Sequence, residues 1–348
     1  MAKRDIVVIG ASAGGFEALK HIVSRLPGDL PASVFVVWHM APDIRGLLPE
    51  VLNRVGTLSA AHAVDDETIT AGRIYVAPPD HHMLLVNGKL RLSKGPKENR
   101  FRPAIDPLFR SAALAYGARV IGVILSGALD DGTAGLWIVK EFGGLTVVQY
   151  PADAEVPSMP ESAIQAVRVD HVARIGEMAA LLTKLVSAPV PESLTPPGDQ
   201  KRTEEEIKIA MEQNPLEHNV REFGDLTPYT CPECHGVLTA FREGGRLRFR
   251  CHTGHGFSAD TLLAAITETV EESMWSAVRN IQESVIFLNH MGDHFSEVNQ
   301  PKLAAMYFRK AKEAEKRGTM IRHAISSHEQ LSQEKMKVET DKGNGKKG

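Results

Sequence analysis

Ile6-Val7-Val8-Ile9-Gly10-Ala11-Ser12-Ala13-Gly14-Gly15 passes from an apolar run into small residues and then into the spacing Phe16, Leu19, Ile22, Val23, Leu26, so a buried strand gives way to a helix within one tight turn. Gly10 and Gly14 remove side chains where the backbone bends and leave Ser12 at the carboxyl end of the strand, beside the free N–H groups that open the helix. Such a corner holds an anion, or a carbonyl that is becoming one. Two chemistries use it. A dinucleotide site requires G-x-G-x-x-G and an acid about 20 residues further on, at the end of the second strand. Here Ser12 takes the place of the middle glycine, and the next apolar strand, Val34-Phe35-Val36-Val37-Trp38, ends in His39. Gly10-Ala11-Ser12-Ala13-Gly14 instead fits the G-x-S-x-G elbow that presents a nucleophilic serine, with a plain structural turn as the competing reading.

Outward from this corner, β-branched runs near 5-9, 34-38, 73-77, 120-126, 145-150 and 171-175 alternate with helical patterns near 15-26, 44-54, 105-116, 133-142, 160-168 and 176-187. That alternation predicts an α/β fold with a doubly wound, mostly parallel sheet. Asn87-Gly88, between Met83-Leu84-Leu85-Val86 and Leu90-Arg91-Leu92, predicts an antiparallel hairpin inserted in it. Ligands of such sheets bind beyond the carboxyl ends of the strands, and three strand ends carry reactive groups: Ser12, His39 and the pair Asp130-Asp131. A serine hydroxyl needs a base to attack an ester, and a carboxylate fixes the imidazole tautomer and stabilises the imidazolium. Either aspartate also suits the N-cap of the helix beginning near Thr133, and His81 and His82, ahead of the hairpin, are second candidates for the base.

Gly10-Ala11-Ser12-Ala13-Gly14-Gly15, Trp38-His39-Met40, Ala77-Pro78-Pro79-Asp80-His81-His82-Met83, Asn99-Arg100-Phe101-Arg102-Pro103-Ala104-Ile105-Asp106 and Ser126-Gly127-Ala128-Leu129-Asp130-Asp131-Gly132 occur in that order. Together they resemble the catalytic domain of CheB-type chemotaxis protein-glutamate methylesterases, over roughly residues 4 to 187. The resemblance implies a catalytic triad of Ser12, His39 and Asp131, and so selects the second of the two adjacent acids. It implies hydrolysis of glutamate γ-methyl esters on receptor signalling helices with release of methanol, in some members also deamidation of glutamine, and no cofactor for catalysis. It implies an oxyanion hole from the backbone N–H groups of Ala13 and Ala128, where the family commonly has threonine and methionine. Arg100 and Arg102 are candidates to face an acidic receptor surface, with a solvated or structural salt-bridge role as the competing reading. Chemotaxis members often carry an N-terminal receiver domain; the first strand here starts at Asp5, so control by a fused receiver is not expected.

Of the 348 residues 43% are hydrophobic and 24% charged, with a net charge of -3, which is ordinary for a globular chain and provides no electrostatic footprint for nucleic acid. The longest apolar runs, such as Val120 to Leu125, fall far short of the ~20 residues of a membrane span, and no signal-peptide core precedes the first strand. A cytoplasmic chain is therefore expected.

The remainder of the chain has a different pattern. The domain reading is 1-188 for the esterase-like part, 189-225 as a Pro-rich linker with one short helix over Glu204 to Met211, 226-257 as a zinc ribbon, 258-331 as a helical hairpin and 332-348 as a disordered tail. All three cysteines fall in the ribbon segment, in Cys231-Pro232-Glu233-Cys234 and Arg250-Cys251-His252-Thr253-Gly254-His255. Thiolates and imidazole at this spacing suit a closed tetrahedral zinc of structural type held by Cys231, Cys234, Cys251 and His255, with His252 as the alternative fourth ligand. Beyond Ser258, Leu263, Ile266, Val270, Met274, Val278, Ile281, Val285 and Leu288, then Leu303, Tyr307, Ala311, Ala314, Ile321 and Ile325 follow a helical spacing. These helices pack on each other or dock a receptor bundle or another signalling partner. The competing function is a catalytically weak scaffold that binds signalling partners through the ribbon and the helical tail, and a nicotinamide oxidoreductase is a distant third.

Overall fold

The computed structural model describes residues 3–39, 46–190, 200–211, 224–329 and 331. In chain order it runs β1 (Ile6–Ala11), α1 (Gly15–Val23), β2 (Ser33–Trp38), α2 (Leu48–Val55), β3 (Ser59–His62), β4 (Arg73–Val76), β5 (His82–Val86) and β6 (Lys89–Ser93). There follow α3 (Ile105–Tyr116), β7 (Val120–Ile124), α4 (Thr133–Glu141), β8 (Leu145–Gln149), α5 (Ser158–Ala166), β9 (His171–Ala173), α6 (Ile175–Val186) and α7 (Gln200–Ala210). The strands β10 (Asp225–Thr230), β11 (Val237–Glu243), β12 (Arg246–Cys251) and β13 (Gly256–Ser258) precede two long helices, α8 (Ala259–Glu297) and α9 (Pro301–Ser326). The chain divides into two compact units, 1–262 and 263–348.

Seven strands of the first unit form one sheet in the order β3-β4-β2-β1-β7-β8-β9, every neighbouring pair parallel. Alternate residues of β1 face opposite layers. Val7, Ile9 and Ala11 pack with Leu19 and Ile22 of α1 and with Met178 and Leu182 of α6, whereas Ile6 and Val8 pack with Leu108 and Phe109 of α3 and Val139 of α4. Burial on both faces is why these strands read as unbroken apolar runs. The edge strand β3, Ser-Ala-Ala-His, lacks such a run and so carries no periodic signal. The predicted hairpin is β5–β6, and it lies on the α3 side. The helix expected near 44-54 is α2; the start of that span lies outside the described residues.

From β1 the chain proceeds to β2 on one side and later returns to β7 on the other, so the strand order reverses between β1 and β7. This is the topological switch point, where an open parallel sheet leaves a crevice beyond its strand ends. Ser12 follows β1, His39 follows β2 and Asp130-Asp131 follows β7. Gly14, with φ 71, makes the left-handed turn between Ser12 and α1.

Within the expected linker, α7 is longer than the predicted Glu204–Met211 helix, and Thr203, Glu206, Ile207 and Ala210 form a buried face at three-to-four spacing. Ile207 and Ala210 pack on Leu84 of β5, and Ser93 Oγ donates to Ala210 O at 2.7 Å. Other parts of that linker, 191–199 and 212–223, lie outside the described residues, as does the expected tail, 332–348. Strands β10–β13 form an antiparallel four-stranded sheet, and it belongs to the same compact unit as the α/β part.

In the second unit, Phe295 of α8 stacks on Tyr307 of α9 with ring centres 5.3 Å apart, and at the other end His328 Nε2 hydrogen-bonds Thr267 O at 3.0 Å. Ala304, Ala311 and Ala314 are buried and let the two helices run close. Among the described residues no helix is long and apolar enough to cross a membrane.

Candidate active site

Parallel register brings the first two strand ends together. Ala11 pairs with Trp38 and His39 N donates to Ala11 O at 3.0 Å, so the residues leaving β1 and β2 emerge side by side. Trp38 Nε1 donates to Ser12 O at 3.0 Å and fixes the corner. His39 Nδ1 is 3.2 Å from Ser12 Oγ, and His39 Nε2 is 2.8 Å from Asp131 Oδ2. With Asp131 ionised, Nε2 carries the ring proton and Nδ1 keeps its lone pair toward the serine, the protonation pattern a general base requires. The ring is turned relative to the familiar serine-protease arrangement, in which Nε2 faces the hydroxyl; both imidazole nitrogens are competent bases, so the chemistry is unchanged. Phe101 stacks on the imidazole with ring centres 3.7 Å apart and planes 10° apart, which holds its orientation.

Asp131 is 1% exposed. Ile105 N, at the first residue of α3, donates to its Oδ2 at 2.7 Å, and Asn99 Nδ2 donates to its Oδ1 at 2.7 Å. Burial pushes this carboxyl up, but hydrogen bonds from His39, the Ile105 N–H and Asn99 outweigh it and hold it below the ordinary aspartate value. It is therefore ionised at neutral pH.

The neighbouring Asp130 points elsewhere. Its Oδ1 accepts from Ser258 Oγ at 2.6 Å and its Oδ2 from Arg246 Nη2 at 2.7 Å. The N-cap of α4 is Gly132, without a side-chain cap bond, so the capping role read for either aspartate is not realised. His82 is fully buried between Pro96 O and Ala104 N and ties β5 to the segment that leads into α3, while His81 Nδ1 bonds Pro79 O in the loop ahead of β5.

Arg102 is committed to Asp80, at 2.8 Å from Nε and 2.6 Å from Nη2, and to the carbonyls of Lys94 and Gly95. Four hydrogen bonds within the chain thus engage its guanidinium, the salt-bridge role that competes with facing a receptor surface. Arg100 is partly exposed and takes a left-handed backbone, φ 76. Ala13 and Ala128 are both exposed. Gly127 presses so closely on Ser12 that a Cβ there would come within 2.8 Å of the serine Cβ, so the loop carrying Ala128 borders the hydroxyl.

Behind Asp131 lies a buried ionic cluster that sequence reasoning missed. Glu98, Asp106, Glu206 and Glu243 face Arg110, Arg248 and Arg250. Arg110 pairs with Glu98 at 3.0 and 2.6 Å, and the three guanidinium groups hold Glu98 well below the ordinary glutamate value against its burial. The available signal was the alternation Arg246-Leu247-Arg248-Phe249-Arg250, which places three arginines on one face of β12. Asp106 sits where α3 and α4 approach closely: a Cβ on Gly135 would come within 3.1 Å of the Asp106 Cα, and Gly135 N donates to Asp106 Oδ1 at 2.7 Å. Burial lifts the Asp106 carboxyl from 3.8 to about 6, with Asp131 adding to the rise and Arg248 and Arg110 opposing it. A raised acid binds its proton more tightly in the folded chain, so this group's contribution is most favourable below the unfolded value and is lost as pH rises through about 6. Asp106→Asn should therefore gain stability relative to the parent as pH increases across that window, measured as the difference between urea midpoints at successive pH values. A pH-independent difference would refute this assignment.

Cys231, Cys234, Cys251 and His255 bring one ligand atom each to within 4.8 Å of one another. Cys251 Sγ lies 3.6 Å from Cys234 Sγ and 3.5 Å from His255 Nδ1. A tetrahedron of zinc–sulfur bonds has edges of about 3.8 Å, so the donor set fits zinc in both chemistry and size. The ligands sit on two tight knuckles closed by His235 N to Cys231 O at 2.8 Å and Gly254 N to Cys251 O at 2.9 Å. Hydrogen bonding to Cys231, then to His255 and Thr253, draws Cys251 toward thiolate, while the same contact with Cys251, and burial, push Cys231 up. Three sulfurs this close share negative charge comfortably only around a cation. The group contains His255 and leaves out His252.

A family model described as CheB methylesterase matches residues 7–182. A Leptospira interrogans protein, provisionally named protein-glutamate methylesterase/protein-glutamine glutaminase, is 40% identical over 182 residues, covering 52% of this chain and 94% of that protein. The Salmonella typhimurium protein-glutamate methylesterase/protein-glutamine glutaminase is 35% identical over 192 residues, covering 54% of this chain and 55% of that protein. Among solved structures, the Thermotoga maritima CheB methylesterase catalytic domain is 36% identical with a TM-score of 0.51, covering 53% of this chain and all of that one.

Proposed function

Because the chain belongs to the CheB methylesterase family, we propose that its α/β part hydrolyses glutamate γ-methyl esters on chemoreceptor-like signalling proteins with Ser12 as nucleophile, His39 as base and Asp131 as orienting acid. The observation that carries this reading is the unbroken hydrogen-bonded line from Ser12 Oγ through the His39 ring to Asp131, at the switch point of the sheet. Ser12 Oγ attacks the ester carbonyl carbon while His39 Nδ1 takes its proton. The carbon–methoxy bond breaks, His39 returns the proton to the departing oxygen, and methanol leaves an acyl ester on Ser12. Water, deprotonated by His39, then attacks that ester, the carbon–Ser12 Oγ bond breaks, and His39 returns the proton to Oγ as the glutamate carboxylate leaves. The Ala13 and Ala128 N–H groups hold the oxyanion in both halves, worth about 3 kcal/mol for each donor. A glutamine amide enters by the same route with ammonia as the leaving group, in line with the glutaminase names of the relatives.

Arg100, next in the chain to the Phe101 that stacks on His39, is the side chain proposed to face acidic receptor surface. The exposed apolar residues Trp275, Ile286, Phe287 and Met320 on α8 and α9 support docking of a signalling partner there. Cys231, Cys234, Cys251 and His255 are assigned to a structural zinc that takes no part in the ester chemistry. The same reading has the chain act in the cytoplasm, in keeping with three cysteines assigned as metal ligands and none as disulfides.

Methyl-labelled receptor incubated with the protein tests the reading. The parent should release labelled methanol, and Asp131→Asn should lower kcat about 10⁴-fold, because the amide favours the wrong imidazole tautomer. Binding of the receptor without turnover would support the scaffold reading instead, and an Asp131→Asn variant as fast as the parent would reject the triad.

A further inference from the structure

We propose that Arg248, carried into the core by β12, is a positioning residue for the Ser12–His39–Asp131 relay and acts through Asp106 and Asn99. The proposal rests on the hydrolase reading of that relay. The Asn99 amide is shared between two buried carboxylates: Nδ2 donates to Asp131 Oδ1 at 2.7 Å and to Asp106 Oδ2 at 2.9 Å. Its carbonyl end accepts from Ser258 N at 3.1 Å, at the end of β13. Asp106 is 0% and Asp131 1% exposed, so two acids held on one amide repel each other with little solvent to screen them.

Arg248 Nη1 lies 3.0 Å from Asp106 Oδ2, the same oxygen that accepts from Asn99. It places positive charge on the Asp106 oxygen that faces the shared amide, where it offsets the negative charge the two acids bring together. Arg110, the other cation near Asp106, is 3.7 Å away and is engaged by both oxygens of Glu98. With Arg248 in place, Asp106 stays an acceptor and Asn99 remains free to clamp Asp131 from the side opposite His39. Without it, Asp106 either takes up a proton, which turns Oδ2 from an acceptor into a competing donor, or repels Asp131 directly. Either change loosens the carboxylate that orients the imidazole. The adjacent acid is held from the same sheet, since Asp130 is bound by Arg246 of β12 and Ser258 of β13. The antiparallel sheet is thus the back wall of the candidate active site.

Steady-state kinetics on the full chain decide this. Arg248→Met should lower kcat roughly 10- to 100-fold, the usual cost of a displaced catalytic group, with KM within about twofold of the parent. Arg248→Lys should recover part of the loss, since it restores the charge without the second guanidinium arm. Because the effect runs through Asp106, Arg248→Met should cost less than about threefold in an Asp106→Asn background. An unchanged kcat in Arg248→Met, with only the melting temperature lowered, would overturn the proposal, as would the same loss in both backgrounds. Should Arg248→Met not fold, comparing Arg248→Lys in the parent and Asp106→Asn backgrounds carries the same decision. A parent that releases no methanol overturns the hydrolase reading itself and so is distinguishable from failure of the Arg248 proposal alone.

Discussion

Ser12→Ala should abolish methanol release, with a fall in kcat on the order of 10⁶ and little change in receptor binding. In the proposed mechanism Ser12 Oγ contributes the bond-forming atom, and the arrangement behind it has no purpose without that atom. His39 keeps its partner in Asp131, 2.8 Å away, so the imidazole remains oriented in the variant. The fold should be indifferent. The hydroxyl makes a 3.2 Å contact with His39, and the backbone corner is held independently by Ser12 N to Ser126 O at 3.0 Å and by Trp38 Nε1. Methanol release by Ser12→Ala at more than a thousandth of the parent rate would require another nucleophile and would end the triad assignment.

Metal removal should have the second large effect, and it acts on stability. Metal analysis should find about one zinc per chain, abolished by Cys231→Ser, with chelation lowering the melting temperature of the first unit. Cys231 and Cys251 are fully buried, and the antiparallel sheet buries few large apolar side chains, Leu238, Phe241, Phe249 and Phe257, so a metal crosslink adds to the ion pairs that tie β12 to the α/β part. Structural zinc in small modules contributes about 10–16 kcal/mol at neutral pH, far more than this patch of core. Cys251 ends β12, three residues beyond Arg248, so losing the metal frees the strand that reaches Asp106 and Asp130. A protein purified under reducing conditions with no bound metal and an unaltered melting curve after chelation would refute the zinc assignment.

Much of the fold was legible because it rests on local periodicity. Apolar runs buried on both faces marked β1, β2, β4, β7 and β8, and Asn87-Gly88 marked the β5–β6 hairpin. The short edge strand β3 left no trace, since Ser59–His62 carries neither β-branched residues nor alternation. Ser12 and His39 were legible for a related reason: a parallel sheet forces the ends of neighbouring strands to one rim.

The rest depended on distance in space. Asp130 and Asp131 are adjacent in sequence and chemically identical, and composition left their roles open until the family motif selected one. In three dimensions one carboxylate meets His39, 92 residues away, and the other Ser258, 128 residues away. Arg102 was open between a receptor-facing and a salt-bridge role and bonds Asp80, and the arginines of β12 carried no functional reading, yet Arg248 is buried against Glu98 and Asp106. By itself, then, the sequence determined which segments are strands and which side chains stand at their ends, because those follow from the 2.0 and 3.6 residue periods of the backbone. Only the tertiary structure decided which charges face which. That choice is made by desolvation: a buried carboxylate persists only beside the donor that packing delivers to it, and no local pattern encodes that partner.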